Sequence, residues 1–205
     1  MKYNELASQT SVEKTVTQLQ TKGYQTFVTK TKAEALAKIK EIIPVGASVM
    51  NGASVTLEQI GFIDYLKSGG HNWNNLHEAV VTETDPQKQS KLRQLAIHAD
   101  YYLGSVHALI ENGEFLIASN TGSQLPHIVF TSPNLIFVVS TKKIVPDFNE
   151  AMSRLTDYVL PLEDFHMQEK YHVNTQLNKI LIFKNENQMM GRKVTLLLVE
   201  EDLGF

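Results

Sequence analysis

The sequence predicts an α/β domain built on a mainly parallel sheet. Three observations lead there. Helix-period segments alternate with short apolar strands through most of the chain, the pattern left by repeated strand–helix–strand units. The 205 residues, 42% of them apolar, suit one domain. A chain of that length buries about 70% of its unfolded surface without needing a covalent staple. The chain also has no cysteine, which excludes a disulfide framework, a cysteine zinc site, an iron–sulfur cluster and a thiol nucleophile.

Residues 1–22 read as a polar N-terminal helix with a thin apolar stripe of Leu6, Val12, Val16 and Leu19, closed near Gly23 as a C-cap. Residues 24–28 follow as a strand. Thr31 and Glu34 have capping-box spacing, so a helix carrying Leu36, Ile39 and Ile43 runs to the turn at Pro44. Residues 48–50 form a short strand. Thr56 and Gln59 form a second capping box that opens a helix after the small-residue turn Asn51-Gly52-Ala53-Ser54. Gly69 to Asn75 reads as loop. Asp85 and Pro86 start a helix as cap and first helical residue, with Leu92, Leu95, Ala96 and Ala99 on one face. Residues 101–105, 115–118 and 135–140 are strands. Asp147 and Glu150 form a third box ahead of Phe148, Met152, Leu155 and Val159. Residues 160–178 are polar and read as an arm or excursion. Strands at 180–183 and 194–199 end the chain, joined by a polar loop that holds Gly191.

Nineteen basic and 22 acidic residues leave a net charge of −3, which argues against a general nucleic-acid binder. No basic segment followed by an apolar one opens the chain, so no signal peptide is expected. The longest apolar runs, at 135–139 and 196–199, fall far short of the ~20 residues of a membrane span. A cytoplasmic protein with no membrane partner is expected.

In open α/β sheets, ligands sit at the carboxyl ends of strands, so the loops after the strands matter most. Four segments stand out. In the first, at 46–61, a strand runs through a small-residue turn to a helix N-terminus, where free N–H groups favour an anion. Gly52 and Ala53 would let a ligand approach the backbone. Ser54 and Thr56 would donate hydrogen bonds, and Asn51 and Glu58 complete the candidate set. An ordinary capped turn fits the same residues. In the second, at 104–114, Glu111 precedes the Asn112-Gly113 turn, and its carboxylate is a candidate base or nucleophile. Gly104 and His107 stand beside it. A solvated hairpin tip is the plainer reading. In the third, Asn120, Thr121, Gly122, Ser123 and Gln124 make a donor-rich loop of little charge, able to wrap an anionic or carbonyl ligand or simply to lie on the surface. In the fourth, two lysines follow the most apolar strand. One of them would reach back over the strand ends to a carboxylate or phosphate, and Lys142 is assigned to the ligand set; a solvated strand-end lysine is the plainer reading.

The histidine pairs His71/His77 and His166/His172 are each six apart, which is not a helical ligand spacing, and no His-Glu-x-x-His motif occurs. No metal site is expected. With no flavin or nicotinamide fingerprint either, no cofactor is expected.

Taken in order, NGASVTLEQIG at 51–61, GSVHALIENG at 104–113, ASNTGSQL at 118–125 and KIVPD at 143–147 resemble the LUD-domain family of lactate-utilisation proteins. PLED at 161–164, NKIL at 178–181, GR at 191–192 and EDLGF at 201–205 extend the resemblance over nearly the whole chain as a single LUD domain. The resemblance implies a three-layer α/β sandwich with a Rossmann-like, mainly parallel sheet. That fold is shared with sugar-phosphate isomerases, glucosamine-phosphate deaminases and CoA-transferases. Glu111-Asn112-Gly113 is similar to the Glu-Asn-Gly motif in which family I CoA-transferases carry their nucleophile. Some relatives have a cysteine-rich C-terminal segment, which this chain lacks. Others are linked to lactate oxidation beside redox subunits.

Three functions follow as expectations. The first is a non-redox accessory or regulatory protein of organic-acid metabolism that binds a small anion or a partner subunit of lactate oxidation. The second is an acyl-transfer or isomerase-type enzyme using Glu111. The third is an interaction module, such as a homo-oligomer, docking through Pro161, Phe165, Met167 and Tyr171 of the 160–178 arm, residues that a satellite core under the domain's own sheet would equally use.

Overall fold

The computed structural model describes residues 3–205. Its centre is a six-stranded sheet ordered β1 (Gln25–Thr29), β10 (Lys193–Val199), β7 (Asn134–Ser140), β4 (Tyr101–Gly104), β2 (Ser48–Asn51) and β3 (Asn74–Asn75). Every neighbouring pair is parallel. The innermost strands are apolar on successive residues because both faces of a parallel sheet are covered. Leu135, Phe137 and Val139 of β7, with Leu196 and Leu198 of β10, face α1 (Gln9–Thr21) through Val12 and Leu19. Ile136, Val138, Leu197 and Val199 face the other way, onto α2 (Lys32–Ile42), α3 (Val55–Gln59) and α4 (Phe62–Lys67) through Ala35, Ile39, Leu57, Phe62 and Leu66. Each buried aliphatic side chain contributes ~1.5–3 kcal/mol, so this double-sided burial fixes the sheet. The molecule is a three-layer α/β sandwich with a parallel central sheet.

The layer on the α1 side contains a second sheet. Its order is β8 (Ile144–Val145), β5 (Ala108–Ile110), β6 (Phe115–Ser119) and β9 (Lys179–Phe183). The β5–β6 and β6–β9 pairs are antiparallel, and β5–β8 is parallel. Leu109, Phe115, Ile117 and Phe183 turn toward the central sheet. Ala108, Ile110 and Leu116 turn outward onto α7 (Phe148–Ser153) and the helical turns after it. The two strands that end the chain therefore belong to different sheets, although a single polar loop joins them.

Local signals set most helix starts. Thr31 caps α2 by accepting from the Glu34 N–H. Asp85 caps α6 (Pro86–Ala96), with Pro86 in its first turn, and Asp147 caps α7 by accepting from the Glu150 N–H. The second expected box is corrected: Ser54 caps α3, accepting from the Leu57 N–H. Thr56 and Gln59 have the spacing of a cap, but long-range contacts described below engage both. The first helix starts at Gln9, capped by Ser8, and residues 1 and 2 of the expected 1–22 helix lie outside the described residues. Gly69 to Asn75 is not all loop, since β3 adds a two-residue edge to β2. Between β3 and α6 lies α5 (Leu76–Thr82), tied to α6 by Gln89 Nε2 donating to the Val80 carbonyl at 3.1 Å.

The stretch from Phe148 to Tyr171 is helical throughout. It begins as α7, passes through π-helical turns at Arg154–Val159 and ends as α8 (Leu160–Tyr171). No residue of α8 is buried, which accounts for its polar sequence. Residues 172–178 then lead back to β9 without regular structure.

Candidate functional site

The carboxyl ends of β2, β4 and β7 lie side by side, and β4, four residues long like β2, stops short of β7. Gly104 ends it opposite Phe137, while β7 continues to Ser140. The notch above β4 is filled from β7. After Ser140 the chain makes one 3-10 turn, Thr141–Lys143, and the two lysines part. Lys142 pairs with Asp202. Lys143, like Lys142, is buried, the two being 4% and 5% exposed. The Lys143 ammonium group donates to Thr56 Oγ1 at 3.1 Å, Ser105 Oγ at 3.1 Å and the Val106 carbonyl at 3.2 Å. One amine thus ties the loop after β7 to the loop after β4 and to α3 after β2. All three partners are neutral.

A second cation grips the next carbonyl of the same loop. Arg154 is fully buried and donates from Nη1 to the His107 carbonyl. Among the described residues, its Nε and Nη2 have no hydrogen-bond partner. Tyr158 and Tyr3 lie 5.3 Å and 5.9 Å from the guanidinium centre, ring centroid to carbon, which is within cation–π range. Neither Lys143 nor Arg154 has a carboxylate partner among the described residues. Arg154 stands where the helix is π-helical, a rare geometry that recurs at functional sites.

The electrostatics follow from this placement. Burial lowers the proton affinity of Lys143 well below that of an ordinary lysine, and the charges of Arg154 and Lys142 lower it further. Burial brings Arg154 down to about 10. His107 is pushed down to about 3, by burial first and then by Lys143 and Arg154. Its Nδ1 accepts the Ala118 N–H at 3.0 Å, so the ring is neutral with its proton on Nε2. Buried positive charge without acid is costly, so the locus is predisposed to an anion.

Gly204 covers the lysine. A side chain there would collide with Thr56 Oγ1 and place its Cβ 2.9 Å from Lys143 Nζ, so only glycine fits. Gln59 Oε1 accepts the Gly204 N–H at 2.6 Å, and Leu203 is buried against the α2–α4 face of the sheet.

The residues expected from sequence divide between this locus and other places. Thr56 belongs to it. Ser54 acts as the cap of α3, a helix too short for a strong dipole. At Gly52 the space a side chain would fill holds the Tyr102 hydroxyl, so only glycine fits there. Asn51 is buried beside it with Oδ1 unpartnered. Gly104 packs against the Tyr102 ring. Of the donor-rich loop, Gln124 lies beside Gly52 and donates to the Ala118 carbonyl at 3.1 Å. Asn120 accepts from Asn178, Thr121 bonds Ser123, and the Gly122 N–H donates to Ser119. Glu58 pairs with Lys170 of α8 at 3.1 Å. Glu111 faces α1, accepting from Ser11 Oγ and Lys14 Nζ at 2.6 Å each, and these two bonds hold its carboxyl below the usual range. Asn112 caps its own turn by accepting the Glu114 N–H, and Gly113 abuts Lys22 and Gln18. His107 is joined to the Lys143 locus rather than to Glu111.

Sequence reasoning chose Lys142 of the two lysines and passed over Lys143, Ser105, Arg154 and Gly204. Arg154 carried a readable signal. With Ala151, Leu155 and Tyr158 it occupies the apolar helical stripe, where a charged residue is out of place. Among the described residues no group of histidines and carboxylates is placed to hold a metal ion, and no helix is long and apolar enough to cross a membrane.

Comparison with known proteins agrees with this architecture. The family model for the LUD domain matches residues 12–175. The crystal structure of a DUF162 family protein from Deinococcus radiodurans is similar, with a TM-score of 0.61 at 11% sequence identity, covering 95% of this chain and 99% of that one. No curated protein matches the chain.

Proposed function

The chain belongs to the LUD-domain family, associated with lactate utilisation, and from that premise we propose that it binds a small anionic ligand at the carboxyl ends of its central strands. Its role in organic-acid metabolism is then accessory or regulatory and non-redox. One observation carries the proposed binding site: Lys143 and Arg154 are buried side chains on adjoining carbonyls, with no acid among the described residues to neutralise them and two guanidinium nitrogens that find no hydrogen-bond partner there. A carboxylate or phosphate would satisfy those donors and offset the buried charge. The sequence supplies no cysteine to hold a redox cluster, which is consistent with a role beside redox subunits rather than in their place. Chemistry at Glu111, the alternative, requires α1 to release a carboxylate that Ser11 and Lys14 now hold.

A thermal-shift series with L-lactate, D-lactate, pyruvate, phosphate and acetyl-CoA tests the proposal. An anion at 100 times its dissociation constant adds about 2.7 kcal/mol of stability. For a chain of this length that raises the midpoint by about 5–10 °C. The shift is expected in the wild type and absent in Lys143→Gln. A shift of equal size in both would place the ligand elsewhere.

A further inference from the structure

We infer that Lys143 is a reactive amine and that the site takes an aldehyde or ketone bearing a carboxylate or phosphate, which the lysine captures as an imine. The inference deepens the anion-site reading and rests on it. Three features of the geometry support it. First, the amine stands at the strand ends with no carboxylate to hold its proton, in contrast to Lys142 beside Asp202. Second, two of its three partners are hydroxyls, Thr56 and Ser105. A hydroxyl accepts from an ammonium or donates to an amine, so the same cradle holds both protonation states. Third, Arg154 supplies N–H groups without a hydrogen-bond partner among the described residues for the anionic end of the ligand, and the slim backbone of Gly204 lies against the amine. Burial and the neighbouring cations favour the neutral, nucleophilic form of the amine.

The chemistry balances without a further reagent. The nitrogen lone pair attacks the carbonyl carbon, the C–O π bond breaks, and the oxygen takes up the proton that nitrogen gives away. The resulting carbinolamine loses its hydroxyl with the second nitrogen proton as one water, leaving a C=N bond. Thr56 and Ser105, both 3.1 Å from the nitrogen, are placed to pass those protons.

The test uses the wild-type chain, pyruvate as the probe and sodium borohydride to fix any imine, with the modified lysine located by peptide mass spectrometry. L-lactate, with the carboxylate but no carbonyl, is the control. The neutral fraction of an amine rises about tenfold for each unit its pKa falls, so labelling at Lys143 is expected to exceed that at exposed Lys14 or Lys193 by at least about tenfold. Gln59→Ala, which frees the Gly204 N–H without touching the cradle, is expected to label Lys143 several-fold faster. Labelling of Lys143 no stronger than that of the exposed lysines overturns the proposal, and so does a Gln59→Ala rate equal to wild type. If pyruvate and L-lactate both stabilise the protein and Lys143 stays unlabelled, the imine fails and the anion site stands. If neither stabilises it and Lys143 stays unlabelled, both fail.

Discussion

At the scale of single residues, Arg154 is held where its charge has least support. A buried donor left without a partner costs about 1–3 kcal/mol, and Arg154 has two such nitrogens. Arg154→Met removes both, along with the buried charge, and unpairs only the His107 carbonyl. The variant is therefore expected to be at least as stable as wild type in urea unfolding, while losing the response to anions. A loss of about 3–5 kcal/mol, typical of breaking a paired buried charge, would show that the guanidinium is a structural tie. The buried histidines give a second expectation. Burial, Lys143 and Arg154 hold His107 at about 3, and burial with His98 holds His127 at about 4. In the unfolded chain both titrate near the ordinary value of about 6.5. Between these values the unfolded state binds more protons, so stability falls as pH drops below about 6.5, by up to ~1.4 kcal/mol per unit for each histidine. Urea midpoints at pH 7, 6 and 5 measure this slope. His107→Gln should flatten it, and a wild-type curve already flat over that range would mean that these rings are not held neutral.

At the scale of elements, the caps carry local information that can be checked one at a time. Asp147→Ala removes the acceptor of the Glu150 N–H and should lower stability by about 1 kcal/mol, read from the urea midpoint. No change would mean that packing of Ala151 and Leu155 sets the start of this helix without help from its cap. The same caps show where sequence is legible. Thr31, Asp85 and Asp147 stand out because their bonding partners lie two or three residues away. The start of α3 was misread because Thr56 and Gln59 imitate a capping box, whereas their actual partners are Lys143, 87 residues on, and Gly204, 145 residues on. Local spacing holds no record of such contacts. The helix at 160–171 was obscured for a different reason: it buries no face, so it leaves no apolar period to read. The strand β9 is legible as a strand but not in its destination, because Ala118, Leu116 and the rest of β6 select it by pairing across the fold.

At the scale of the whole molecule, the parallel sheet was legible because covering both faces forces near-continuous apolar runs in β7 and β10. The second sheet was not, since its short strands alternate between the core and α7 in a way that a hairpin on the surface would share. Sequence likewise drew attention to the loops at the strand carboxyl ends and to Thr56, which meets Lys143 there. It did not separate the two buried lysines, one paired with Asp202 and the other with Thr56, Ser105 and Val106, because their parting depends on a single 3-10 turn after β7. The fold brings the loops after β2, β4 and β7 to one amine and sets a buried guanidinium against the same loop, so the proposed anion site would be a property of the assembled sheet rather than of any one motif. Isothermal titration of wild type and Arg154→Met with pyruvate, L-lactate and phosphate tests that site most directly. A saturable heat is predicted in the wild type for at least one of these anions, together with its loss in a variant that remains folded. Equal binding by both proteins, or no binding by the wild type, would contradict an anion site at Lys143 and Arg154.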